Sequence, residues 1–278
     1  MTHRFNLVLL VLLLAIGLPT YWFLFDNRPG DIAPKPVSMA QLRALAASGP
    51  GSAPSAIQFE RIVISPAMRS RLTAGRGLRY DFQPLHVFRV DYGKAPAVLI
   101  DTGPTREQAR GEHFATYDER AARRIVPHIS AARAIVPLGT GTAHIGMLDP
   151  RAPARTSIAD PLGDDAMLPS SPAKGIAVLA ADEVREGTRV VFVRLAGGNE
   201  YLFVGDIARV PQSWEELRAP SRLDTDVLGA QDRAQTYAWL KTIRALKDEA
   251  PDLIVVPRLT LPKRHAMAHG FPALEKSR

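Results

Sequence analysis

The sequence predicts a mixed α/β domain with helices outside packed β-sheets, preceded by one N-terminal transmembrane helix. Three observations predict it. From about residue 56, short apolar strands and amphipathic helices alternate along the chain. Glycine turns, Gly93-Lys94-Ala95-Pro96 and Gly197-Gly198-Asn199, separate strand pairs as hairpins. Ahead of them, Phe5 to Phe25 is apolar and uncharged, close to the ~20 residues that cross a bilayer as a helix.

Residues 1–25 are therefore expected to form a membrane anchor. His3 and Arg4 precede the apolar run, Asp26 follows it, and Tyr21 and Trp22 stand near its far end, where amphipathic rings favour the membrane interface. Pro19 would kink or shorten the helix. A cleaved signal peptide is the rival reading, but no small-x-small site closes the run. The charge pattern puts the N-terminus inside and the soluble domain outside the cytoplasm, in the periplasm of a bacterium. Residues 26–55, rich in proline and glycine at both ends, read as a linker holding a short helix over Ser38 to Ala47. The folded domain is expected over 56–278.

Within that domain, strands are expected at Ile57–Ile64, Leu85–Tyr92, Ala97–Ile100 and Ala134–Val136, then at Gly175–Ala180, Arg189–Leu195, Glu200–Val204 and Leu253–Val256. One amphipathic helix is expected over Thr105–Val126, ended by Pro127. A second spans Gln231–Lys247, with Trp239, Leu240, Ile243 and Leu246 on one side. Asp149 to Ala173 reads as irregular, and Glu215-Glu216 as the first turn of a short helix after Pro211.

Composition narrows the chemistry. Cysteine is absent, which removes disulfides, thiolate metal sites and a cysteine nucleophile. The net charge of +7 comes without a dense basic block or an aromatic-interleaved basic strand, so no nucleic-acid partner is expected. No Gly-x-Ser-x-Gly elbow occurs. Gly139-Thr140-Gly141 lacks the lysine of a phosphate-binding loop.

Three short pieces carry a family resemblance. They are Ile100-Asp101-Thr102-Gly103, then Ala134-Ile135-Val136 followed by His144-Ile145-Gly146, and Glu200 to Ala208 with its Gly205-Asp206. In this order and spacing the chain resembles the metallo-β-lactamase fold superfamily, from about Ala56 to Pro257. The resemblance implies an αββα four-layer sandwich. It also implies two zinc-type ions held by a His-x-His-x-Asp-His motif, a later histidine, a bridging aspartate and a final histidine after a Val-Pro element.

On that pattern the first two histidine positions fall on Gly139 and Gly141 and the aspartate on Ala143, leaving His144 as the last histidine. The middle histidine should lie in residues 181–187, which hold none. Arg258 follows Val255-Val256-Pro257 where the final histidine should stand. Asp206 keeps the bridging position, and Asp101 would orient a ligand imidazole. Two donors cannot hold a zinc ion that needs three or four. The expectation is thus a non-hydrolytic relative with no catalytic residue, no bound metal and no cofactor. Asp101, Gly139, Gly141, His144 and Asp206 would line a vestigial cleft, and the partners would be the membrane and an unidentified small molecule or protein. The alternative is an active hydrolase with a rearranged or single-metal site, acting on an ester, lactone or phosphodiester. It would complete the zinc site by recruiting Glu183, His265 or His269, the last two lying four apart as on one helix face.

Overall fold

The computed structural model describes residues 2–148, 170–262 and 266–274. Helix α1 (Thr2–Thr20) runs into a single π turn, Tyr21–Phe25, with Pro19 inside the helix. Helix α2 (Met39–Ser48) is opened by a capping box in which Ser38 and Gln41 satisfy each other's main-chain N–H groups.

The first sheet contains β1 (Ala56–Met68), β2 (Tyr80–Tyr92) and β3 (Ala95–Ile100), with the one-turn helix α3 (Arg69–Leu72) between β1 and β2. Helix α4 (Arg106–Gly111), strand β4 (Thr116–Tyr117), helix α5 (Glu119–Ala131) and strand β5 (Ala134–Val136) follow, then the single turn α6 (Thr142–Ile145). The second sheet is built from β6 (Ile176–Ala180), β7 (Arg189–Arg194), β8 (Glu200–Phe203) and β9 (Ile254–Val256). Between β8 and β9 lie α7 (Pro211–Glu215) and α8 (Arg233–Glu249). Strand β10 (Ala268–His269) returns to the first sheet, whose order is β10-β1-β2-β3-β5 with β4 also on β1; the second is β6-β7-β8-β9.

Alternation along the strands sorts side chains into three cores. Phe88, Val90, Val98, Ile100 and Val136 of the first sheet meet Ile176, Val178, Val191, Val193 and Phe203 of the second. Leu99, Val87 and Ile135 point the other way, onto Ala121 and Ile125 of α5. Val190, Phe192 and Leu202 face Trp239, Leu240 and Ile243 of α8. The layers are helix, sheet, sheet, helix, the αββα sandwich the resemblance implies. Burial on both faces is why these strands read as unbroken apolar runs.

Several expectations change. Residues 26–55 are not a bare linker: Met39, Leu42 and Ala46 of α2 are fully buried in the core shared with α8, so this segment packs as part of the domain. The single helix expected over Thr105–Val126 is two helices and a short strand. Asp118 accepts from the N–H groups of Arg120 and Ala121, a cap that starts a new helix. Pro127 sits inside α5 rather than ending it. It forgoes one main-chain bond, but Ala121, Ala122, Ile125 and His128 are buried on either side of it. Glu215 ends α7 instead of opening it, and Glu216 follows as its cap. Of the irregular segment expected over 149–173, only 170–173 lies within the described residues.

Candidate functional site

The site forms where four strand ends meet. After β3 the backbone turns at Asp101, which adopts φ +62°, a left-handed conformation that aspartate tolerates better than most residues. The turn aims its carboxylate back at the loop after β5. Asp101 Oδ1 accepts from the Leu138 N–H at 2.7 Å, and Oδ2 lies 2.9 Å from His144 Nδ1. Thr102 completes the latch, its N–H and hydroxyl both donating to the His144 carbonyl, at 2.8 and 3.1 Å.

Gly139 lets the imidazole in. A Cβ there would lie 2.9 Å from His144 Cδ2 and 3.1 Å from Nε2. Gly141 caps the α6 turn, and its carbonyl accepts from the His144 N–H. After β8, Gly205 at φ +49° lies against Leu138 and directs Asp206 inward. His144 Nε2 then faces Asp206 Oδ2 at 3.3 Å.

Both ring nitrogens of His144 therefore face carboxylates, an arrangement satisfied only when both carry protons. Burial pushes the imidazole pKa down, but Asp101 and then Asp206 outweigh it, and the pKa rises to about 9. Asp206 is opposed by its own burial, yet the Arg258 guanidinium and the His144 imidazolium hold its carboxyl well below the usual range. Arg258 Nη1 bonds Asp206 Oδ1 directly. Its chain segment lies beside the one that carries Asp206, since the Leu259 N–H donates to the Arg209 carbonyl at 2.9 Å.

The charges continue outward. Arg209 is half-buried, and its desolvation lowers its pKa, while Asp206 and Asp224 favour its charged form. Asp224, itself buried, pairs with Arg209 at 3.5 Å and accepts from Arg71 at 2.7 Å. Asp101, His144 and Asp206 thus alternate in sign, Asp206 faces the charges of both Arg258 and Arg209, and Arg209 leads on through Asp224 to Arg71. Beside it, between Gln83, Val210, Trp214 and Thr260, opens a cavity of about 630 Å³.

The structure brings Asp101, Gly139, His144 and Asp206 together, with Gly141 at the edge. All except Gly141 are buried, so they form a filled interior rather than an open cleft. Glu183 is turned away, accepting from Trp239 Nε1 at 3.0 Å and pairing with Lys35 at 2.7 Å. His269 lies on β10 beside Phe59, not on a helix, and His265 lies outside the described residues. His86 packs between Phe59 and Phe88, and His128 Nε2 bonds the Pro272 carbonyl.

These residues do not fit a zinc centre. A histidine ligand must be neutral and offer a lone pair, whereas both His144 nitrogens are engaged as donors and a guanidinium already neutralises Asp206. Among the described residues no three or more His, Asp or Glu side chains converge as metal ligands. In the sequence alone Arg258 stands only as a missing histidine. A cation standing where a ligand to a cation is expected was the available signal, and Arg209 and Asp224 carried none.

The sequence matches no family model and no curated protein. Its fold does match solved structures. A quorum-quenching N-acyl homoserine lactone lactonase aligns at TM-score 0.57 and 12% identity, over 75% of this chain and 93% of that one. An N-acyl homoserine lactone hydrolase, with N-hexanoyl-L-homoserine bound at its catalytic metal centre, aligns at TM-score 0.55 and 12% identity, over 75% and 94%. A B. thuringiensis AiiA mutant with N-decanoyl-L-homoserine at its active site gives the same values. At such identity the likeness is one of fold.

Proposed function

We propose, from the premise that this chain has the metallo-β-lactamase fold, that it is a membrane-anchored, extracytoplasmic and non-hydrolytic member of that architecture, serving as a binding platform. One observation carries the reading. The Arg258 guanidinium sits on Asp206, so a cation built into the protein neutralises the carboxylate that would otherwise bridge metal ions. His144 is committed in the same way, as a donor to two carboxylates. The N-acyl homoserine lactone hydrolase of like fold holds its product at a catalytic metal centre; here the interior at the strand ends is a closed ion-pair network, whose work would be to hold those ends together.

The ligand of this platform would occupy the cavity beside the network, where Arg69 and Gln83 offer polar contacts and Leu72 and Trp214 apolar ones. The anchor would be α1 together with the π turn that follows it, a span over Arg4–Phe25 with none of it buried in the domain. With Arg4 before it and Asp26 after it, the domain would lie outside the cytoplasm.

The test is a metal count. The full chain, solubilised in detergent and equilibrated with excess zinc, is desalted and its bound metal measured. Well below one ion per chain is expected. Two tightly held ions per chain, lost together in His144→Ala and Asp206→Ala variants, would establish a rearranged hydrolase instead.

A further inference from the structure

The β1–β2 hairpin ends in an arm that groups three exposed large apolar side chains, Leu78, Tyr80 and Phe82. Its register sets Met68 opposite Tyr80 and Pro66 opposite Phe82, so these four side chains share one sheet face. Tyr80 is 62% exposed and Phe82 68%, and Leu78, at 52%, continues the patch into the loop. Two exposed arginines, Arg76 and Arg79, are interleaved with it; Arg76 reaches Glu216 at 3.2 Å. Asp81 alternates onto the opposite face, where Arg69 holds it through two bonds of 2.8 Å.

The tip of this arm is fixed to the end of the apolar helix. The Gly75 N–H donates to the Leu24 carbonyl at 3.0 Å. Arg222 lies 4.2 Å over the Trp22 ring and bonds Asp26 at 3.1 Å. Leu78 is only three residues beyond Gly75, at most about 10 Å of chain. The polar layer on each side of a bilayer's hydrocarbon core is itself about 5–8 Å deep.

We propose that this face is a second membrane contact: Leu78, Tyr80 and Phe82 enter the interfacial layer of the leaflet from which α1 emerges, and Arg76 and Arg79 donate to phosphates of anionic phospholipids. The inference rests on reading α1 as a membrane anchor. Aromatic rings favour that layer, and arginine beside them reaches its phosphates. A helix alone leaves a domain free to swivel, whereas a helix and a strand face together fix its tilt. The same arm supplies Arg69, Arg76 and Gln83 to the cavity beside the ion-pair network, which the contact brings to the membrane surface.

Because the chain has no cysteine, single labels can be placed without background. The full chain carrying Gly17→Cys, Phe82→Cys or Lys94→Cys is labelled with a fluorophore and reconstituted in phosphatidylcholine–phosphatidylserine vesicles containing lipids spin-labelled both at the headgroup and deep in the acyl chain, because position 17 lies about 12 Å of helix inside the span. Lys94 stands in the turn just beyond the far end of β2, more than about 35 Å of chain from Tyr80. The expected result is quenching by about half at positions 17 and 82, with less than about a tenth at 94. Quenching at 17 alone overturns the second contact and leaves the anchor standing. Quenching at neither 17 nor 82 overturns both. Equal quenching at 82 and 94 reports unspecific adsorption and also overturns the contact.

Discussion

Replacing Arg258 with methionine isolates the role of its charge, because methionine keeps much of the aliphatic stem. The Asp206 side chain is 9% exposed and that of Arg258 19%. Removing one partner of a fully buried ion pair costs about 3–5 kcal/mol, chiefly because the other charge is stranded. Arg258 is partly solvated, and Asp206 keeps His144 at 3.3 Å and the nearby charge of Arg209, so the expectation falls to about 2–3 kcal/mol. For a domain of this size that corresponds to a fall in Tm of about 5–10 °C. Urea unfolding of the detergent-solubilised chain, followed by near-ultraviolet circular dichroism, measures it. The double variant Asp206→Asn with Arg258→Met removes the stranded charge and should regain at least half the loss. A single-variant loss below about 0.5 kcal/mol, or a double variant as unstable as the sum of its parts, would refute the claim that this pair organises the site.

The network also predicts a pH dependence. With His144 raised to about 9 from an ordinary 6.5, its contribution is complete below about pH 6.5 and is lost as pH rises towards 9. The loss amounts to about 3 kcal/mol, and unfolding midpoints across that range should show it in the native chain but not in His144→Asn. Gly139→Ala should cost about 1–3 kcal/mol, since its Cβ would press on the His144 ring, and histidine NMR should show the ring displaced. Leu42→Ala should cost about 2–5 kcal/mol in urea unfolding, because α2 belongs to the core; an effect under about 0.5 kcal/mol would return residues 26–55 to the status of a linker.

How far the sequence reached depended on whether a feature is local. Ala134–Val136 was legible as a strand because burial on both faces makes it uniformly apolar, and α8 because its apolar stripe repeats with the helical turn. The helix at Met39 was legible from Met39, Leu42 and Leu45, but its docking on α8 was not, since an amphipathic stripe does not name its partner. The break between α4 and α5 was missed because it rests on a two-residue strand paired with β1 and on the cap at Asp118. In the site, Asp101, His144 and Asp206 came from the resemblance. Arg258 was seen only as an absence, because its partner lies about fifty residues away in the chain and only folding brings the two segments side by side.

The seat of the His144 ring against Gly139 has a consequence for redesign. A histidine placed at position 139 would drive a second imidazole into space already taken, so that step alone yields a less stable chain and no coordination. Building a metal centre here would demand several concerted replacements, position 258 among them. The interior is interlocked, and no single position can be turned to coordination without loosening its neighbours.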